Sequence, residues 1–440
     1  MPKMANDVQG KVRVFQRKLY RAAKQQPGRR FHALYDKIHR RDVLERAWKE
    51  VAAHGGAAGV DGVTIEMIRE QGVEEFLSVL EAELREGTYR PLAVKRVAIP
   101  KASGGERMLG IPAVRDRVVQ AATKLVIEPV FEADFLGCSW GFRPKRSARE
   151  ARERIRAHVQ REQRHVIVDA DIKGFFDNLD RSILKRLPRE RISDRRVLAL
   201  IDAWLRAGVL ADGELLRPTA GTPQGGVVSP CLANVYLHAL DRAWQARYWR
   251  LGKLTRYADD LVIACWQPGQ AQRARSALAR LLAELGLELS PEKTRIVNLA
   301  VAGEGFDFLG YHFRRLPVRR DPSRFYCACW PSQRAMAAAR QRIRDLTPME
   351  RVGLPAIMVV QEINRFLEGW GAYFRHGNST QQFKALDHFV FERVARFLSR
   401  KHGKPGRGMG VYLLMKSDTR LGIYRLAGTV RYASAAHAAR

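Results

Sequence analysis

Two adjacent carboxylates, Asp259 and Asp260, stand between two short apolar runs, Lys253 to Tyr257 and Leu261 to Cys265. Such a pattern reads as a β-hairpin with acid at its tip. Neighbouring side chains on a straight strand point to opposite faces, so Asp259 and Asp260 converge only if the backbone turns there. A turn that aims two carboxylates outward suits a divalent metal such as Mg²⁺, which takes one or two protein carboxylates and leaves its other positions to water and phosphate oxygens.

A third carboxylate lies earlier, in the run His165-Val-Ile-Val-Asp169-Ala-Asp171-Ile-Lys-Gly-Phe175-Phe176-Asp177. The run is apolar enough for a strand buried on both faces. Asp169 and Asp171 share a face of it, two residues apart, and either could meet the hairpin aspartates across a sheet. Taken alone, Asp171 reads as a salt-bridged or capping aspartate. Elsewhere, Val94 to Pro100 and Glu106 to Ile111 alternate around a glycine-rich turn and read as a hairpin carrying Lys95, Arg96, Lys101 and Arg107. Such a basic hairpin could hold a triphosphate or be a solvated edge strand. Gly221 to Gly226 is a glycine-rich loop whose backbone can approach a ligand closely. Ser229 then reads as the cap of a helix begun by Pro230. Phe306 to Phe313 reads as an aromatic strand with Gly310 inside it or as a packed hairpin, and Ser323 to Pro331 as a linker or short strand pair.

Seven blocks in fixed order resemble the reverse transcriptases encoded by group II introns. They are Ile99-Pro100-Lys101 with Gly105-Glu106-Arg107 and Ile111-Pro112; Trp140 to Ser147; the Asp171 strand; Gly221 to Gly226 with Ser229-Pro230; Tyr257 to Asp260; Ser290 to Thr294; and Phe308 to Tyr311. Further on, Asn364 to Tyr373, with Gly369-Trp370, is similar to the maturase segment of those proteins. The resemblance implies an α+β right-hand polymerase, with fingers, a palm built on an antiparallel sheet, and a helical thumb. It implies RNA-templated DNA synthesis with two Mg²⁺ ions, Asp171, Asp259 and Asp260 being the catalytic and metal-binding carboxylates. Lys101, Arg107, Gln224 and Lys293 are the residues it assigns to the incoming dNTP, and Phe176 to blocking a ribose 2′-hydroxyl. Phe175 reads as packing, and by itself Lys293 reads as solvated surface.

The implied organisation is a basic N-terminal extension over 1–40, fingers over 41–147, palm over 148–320, a helical thumb/maturase domain over 321–404 and a short basic tail over 405–440. The tail, with no Cys pair and only His437, does not fit an HNH-type nuclease, so the resemblance is to compact class C-like members that prime from existing DNA ends. Partners implied are group II intron RNA, an RNA template with its DNA primer, dNTPs and target DNA. Arg393, Arg396, Arg400 and Lys401, crowded at one helix end, are the RNA-binding candidates. Two other readings stay open: a domesticated intron-like reverse transcriptase in repair or phage defence, and a protein that is mainly an RNA-binding splicing factor. Monomer and dimer also stay open.

Charge agrees with a polyanionic partner. Against 46 Asp plus Glu stand 77 Lys plus Arg, a formal +31, and counterion release on a nucleic acid gives such a surface sequence-independent affinity. No signal peptide or long uncharged apolar run is present, so the expectation is a cytoplasmic, ribonucleoprotein-associated protein without membrane contact. The five cysteines are odd in number and scattered, which argues against a disulfide framework or structural zinc.

Overall fold

The computed structural model describes residues 8–100, 106–211, 214–216, 221, 225–402 and 422–431. Lys101 and Gln224 lie outside the described residues, as do the tail residues Arg407, Lys416 and Arg420; for Arg107 the backbone alone is described. The chain divides into two units. The first comprises Met1–Ser147, Ala170–Ile263 and Gln272–Arg295, the second Ala148–Asp169, Ala264–Ala271 and Ile296–Arg440.

In the first unit the Val114–Glu132 helix is buried on nearly every face, from Val118 and Val119 to Ile127 and Val130. Helices Val8–Gln25 and Arg41–His54 pack on it. The basic N-terminal segment is thus part of this core: Val12 and Ala23 are buried, Gln16 donates to the Leu125 carbonyl at 3.0 Å and Lys24 to that of Ala133 at 2.8 Å. The basic residues Lys11, Arg13, Arg17, Lys18 and Arg21 face solvent on the other side, the division an amphipathic helix requires.

The strands follow in chain order: β1 Val94–Pro100, β2 Glu106–Ile111, β3 Val166–Asp171, β4 Val209–Ala211, β5 Glu214–Leu216, β6 Lys253–Tyr257, β7 Asp260–Cys265, β8 Arg295–Asn298, β9 Gly305–Phe308, β10 Tyr311–Val318 and β11 Asp321–Pro331. One sheet has the order β2-β1-β4-β5, another β6-β7-β3-β8, and a third β11-β10-β9. The β1–β2 hairpin is antiparallel, Lys95 facing Ile111, as the alternation predicts, and β1 pairs β4 in parallel. In β3 the buried Val166, Ile167 and Val168 precede half-buried Asp169 and Asp171, which flank buried Ala170.

Several sequence expectations are decided or changed. Of the two readings of Phe306 to Phe313 the hairpin holds, as β9 and β10, because Leu309 (φ 51°) and Gly310 (φ 77°) turn the chain between them. Side by side after that turn, Phe306 and Phe313 stack at 5.0 Å. The segment read as a linker or short strand pair belongs to one eleven-residue strand, β11, paired with β10, so a boundary at 320/321 falls inside a hairpin. The helix expected to start at Pro230 starts at Ser229, with Val228 as its flanking residue, so Ser229 is not the cap.

Helices Gln333–Leu346, Ala356–Phe374 and Thr380–Lys401 follow in the second unit. Residues 422–431 dock on them. Leu426 is fully buried, and a Cβ on Gly371 would sit 2.5 Å from its side chain. Asp387 accepts from the Leu426 and Ala427 amides at 2.9 and 2.8 Å. This part of the expected basic tail is therefore anchored to the helices through Leu426, while its arginines Arg425 and Arg431 stay exposed. No described helix is long and apolar enough to cross a membrane.

Two buried histidines set a pH dependence. Burial pushes the imidazoles of His158, in the second unit, and His238, in the first, down from 6.5 to about 4. The unfolded chain then binds more protons than the folded one between those values, so stability is full above about pH 6.5 and falls as pH drops toward 4. We expect each histidine to cost about 1–2 kcal/mol by pH 5. Urea midpoints at pH 7 and pH 5 check this, and His158→Gln and His238→Gln should each remove their share of the difference in their own unit; because burial raises the Asp116 carboxyl to about 6 and so works in the opposite sense, the refuting result is a pH difference that neither variant changes.

Candidate active site

The hairpin tip is positioned by one buried side chain. Between β6 and β7 the backbone turns at Ala258, whose φ of 56° is a conformation that residues with a Cβ adopt at a cost of about 1–3 kcal/mol. Arg256, two residues earlier and fully buried, donates to the Ala258 carbonyl at 3.0 Å. Its remaining N–H groups go to Asp241 Oδ1 and Oδ2 at 2.9 and 2.6 Å, Asn234 Oδ1 at 3.1 Å and Ser139 Oγ at 2.8 Å. All five guanidinium donors are thereby used. Burial pulls the Arg256 pKa down, but the Asp241 carboxylate more than offsets it and leaves the group above its ordinary value.

The Trp140 block closes this frame. Arg256 N donates to Cys138 O at 2.7 Å, Trp140 N donates to Arg256 O at 2.9 Å, and Asn234 holds the Gly141 carbonyl at 2.8 Å. A Cβ on Gly141 would lie 2.5 Å from the Ala258 nitrogen, so glycine is required where this loop crosses the turn. Arg143 ties the loop to Glu132 with contacts of 2.9 and 2.7 Å. Sequence reasoning missed Arg256, Asp241 and Asn234. The signal was there: Asn234 and Asp241 are seven residues apart on one helix face, opposite a charged residue inside an otherwise buried strand.

Asp171 ends β3, and its carbonyl accepts from Ser290 N at 2.8 Å. That turn brings the Lys293 ammonium to Asp171 Oδ2 at 2.9 Å. The Lys293 pKa is raised, first by its hydrogen bond to Asp171 and then by the charges of Asp260 and Asp259, so one ammonium senses all three predicted carboxylates. The oxygen donors suit a hard divalent cation, and the ammonium on Asp171 shows that this corner already takes positive charge. Among the described residues, however, no three His, Cys, Asp or Glu side chains are grouped closely enough to hold a metal ion as they stand.

The glycine-rich loop differs from its sequence reading. A Cβ on Gly221 (φ 78°) would meet the carbonyls of Asp177 and Phe176 at 2.7 and 2.8 Å, and one on Gly225 (φ 118°) the Gly110 carbonyl at 2.1 Å. At both positions the close approach is to the protein's own backbone, which clamps the loop ends to the β3 turn and to β2. In that turn Phe175 is buried and Phe176, edge-on to it at 5.1 Å, is half-exposed.

The four basic residues of the last helix divide. Arg393 is tied to Thr347, with Nη2 at 3.0 Å from its carbonyl, and Lys401 Nζ caps the carbonyls of Val352 and Leu354 at 3.0 and 2.9 Å. These two hold the chain between helices. Arg396 and Arg400 are exposed, the former 3.8 Å from Glu392.

Removing Arg256 alone strands a buried carboxylate, so Arg256→Met should destabilise the protein by about 3–5 kcal/mol. Adding Asp241→Leu should recover most of that loss. Urea denaturation of both variants measures it; a double variant no more stable than the single one would show that the pair is not the organising contact.

Residues 99–313 match the family model for reverse transcriptase (RNA-dependent DNA polymerase), and residues 336–411 that for the group II intron maturase-specific domain. Protein YkfC of Escherichia coli is 33% identical over 337 residues, 68% of this chain and 87% of that protein. The group II intron-encoded protein LtrA of Lactococcus lactis is 35% identical over 215 residues, 48% of this chain and 35% of its own length. The retron Mx65 reverse transcriptase of Myxococcus xanthus is 31% identical over 213 residues, 45% of this chain and 47% of that protein. Two matched domains in this order, with a relative covered nearly end to end, identify the chain as a member of the group II intron reverse transcriptase/maturase family.

Proposed function

We propose that this RNA-directed DNA polymerase extends a DNA primer on an RNA template at the site formed by Asp171, Asp259 and Asp260, and that its partners include group II intron RNA and target DNA. The observation that carries the site assignment is the shared field at Lys293, which hydrogen-bonds Asp171 and senses both hairpin aspartates. Reverse transcriptase domains use divalent metal ions; here we propose two Mg²⁺. When bound, they would activate the primer 3′-hydroxyl and neutralise charge developing on the departing pyrophosphate.

The chain's own residues supply position. Asp171 and Asp259 would hold the ions, with Asp260 completing the site. Lys293, hydrogen-bonded to Asp171 with a side chain 68% exposed, would supply the positive charge for the triphosphate. Lys101, Arg107 and Gln224 contact the nucleotide, and Phe176, braced by buried Phe175, closes the space beside its 2′ carbon. In the maturase role, exposed Arg396 and Arg400 remain available for RNA phosphates. The domain scheme proposed is fingers over 41–147 and palm from 148, with β11 kept beside β10.

Asp259→Asn should reduce primer extension at least a thousandfold while changing RNA affinity less than threefold, because the carboxylate serves chemistry and the basic surfaces serve binding. Extension by the variant within tenfold of the parent in Mg²⁺ would overturn the assignment. Phe176→Ala should raise rNTP incorporation relative to dNTP by tenfold or more. An unchanged ratio in single-nucleotide extension would place the gate elsewhere.

A further inference from the structure

In the second unit, a cleft of about 360 Å³ opens between the end of the Ala148–Gln160 helix and the β10–β11 hairpin. Its walls carry Gln160, Gln163, His165, Arg315, Arg324 and Phe325. The volume is that of a small-ligand pocket. No acidic side chain lines it among the described residues. Nearby Glu162 is taken by His158 at 2.8 Å and Arg164 at 3.0 Å.

The hairpin is unusual in charge. Between 314 and 324 it has five arginines and one acid, Asp321, which accepts from the Ser323 amide at 3.1 Å and from its hydroxyl. Phe325 is 42% exposed, although Pro317 stands opposite it in the hairpin. The Arg315 guanidinium lies 3.8 Å from the Phe325 ring centroid. The register explains the pair: Arg315 faces Cys327, and Phe325 is the diagonal neighbour on the same face. Burial, and then Arg315, hold the His165 imidazole below its ordinary value, and its hydrogen bond to the Val159 backbone works the other way and fixes the ring in the cleft wall.

We propose that this cleft binds an unpaired nucleotide of a single-stranded nucleic acid, at a site separate from the polymerase centre. A stacked arginine–phenylalanine pair is a platform for a base, which has a π-face whatever its identity. The amides of Gln160 and Gln163, with His165, can meet the polar edge of that base, and Arg324 the adjoining phosphate. Arg319 and Arg320, exposed at the hairpin tip, extend the track for flanking phosphates. An acidic peptide would use the arginines but leave the aromatic face and the amides without a role. The choice of nucleic acid rests on the family reading above; the cleft's geometry does not.

The test uses the full chain with an unlabelled RNA–DNA primer–template in saturating excess, so that the polymerase site is occupied. A 4-thiouridine RNA 12-mer and a 4-thiothymidine DNA 12-mer are crosslinked separately and adducts are mapped by mass spectrometry. The expected result is an adduct on the peptide holding Phe325 and Tyr326 with one or both strands, the stronger naming the source. Phe325→Ala and Phe325→Leu should lower the yield five- to tenfold, Phe325→Trp should restore it, and extension of the pre-annealed primer should stay within twofold in all three. Absence of the adduct, equal yields in Phe325→Leu, or equal competition by a polyglutamate peptide would overturn the proposal. Because extension is measured on the same samples, its loss in the parent would count against the polymerase reading instead.

Discussion

A buried ion pair, Arg256 with Asp241, is the contact on which the Asp259–Asp260 hairpin depends. Both side chains are shut off from water, and the desolvation of two such ions costs several kcal/mol each. Coulomb attraction alone would not recover this. What tips the balance is that every guanidinium donor meets an acceptor, drawn from a helix, from the Ser139 loop and from the turn itself. The pair is therefore better understood as a device for specifying geometry than as a source of stability. Its product is a left-handed Ala258, which turns the chain so that Asp259 and Asp260 leave the strand alternation.

Around that hairpin, glycines set the distances. At Gly141, Gly221 and Gly225 a methyl group would overlap backbone atoms of a neighbouring segment. Side-chain attraction could not hold segments this close, since any side chain at these positions would push them apart. The corner around Asp171 is accordingly assembled from backbones in contact, with Asp171 delivered by β3 and Lys293 by the Ser290 turn. An ammonium at Asp171 balances carboxylate charge that would otherwise be self-repelling, which fits a site designed to receive cations.

Much of this was legible in the sequence, because short-range patterns decide it. The alternation of β1 and β2 gave both strands their limits, and the aspartate pair marked a turn between β6 and β7. The reading stayed open or failed where a local signal was ambiguous or a distant partner decided. Phe306 to Phe313 fitted a single strand as well as a hairpin because the leucine at 309 gives no hint of a positive φ. Ser323 to Pro331 fitted a linker as well as a short strand pair because its exposed half has no apolar alternation, yet Phe325 to Pro331 pair residue by residue with β10. Arg393 and Lys401 looked like free cations because nothing near them in sequence shows that Thr347 and the Val352–Leu354 carbonyls fold back to meet them.

Composition, block order and periodicity by themselves determined the family and the net basic charge, and singled out the carboxylates proposed for the site, all properties of residue type and spacing. Tertiary structure decided which charges are spent inside the protein and which face outward. Arg256, Arg393 and Lys401 are spent on buried or carbonyl partners; Arg315, Arg324 and Arg396 are not enclosed. The physical reason is that a guanidinium or ammonium has the same sequence signature in either setting, while its energy depends on the dielectric and the acceptors around it, and those are supplied by segments far away in the chain.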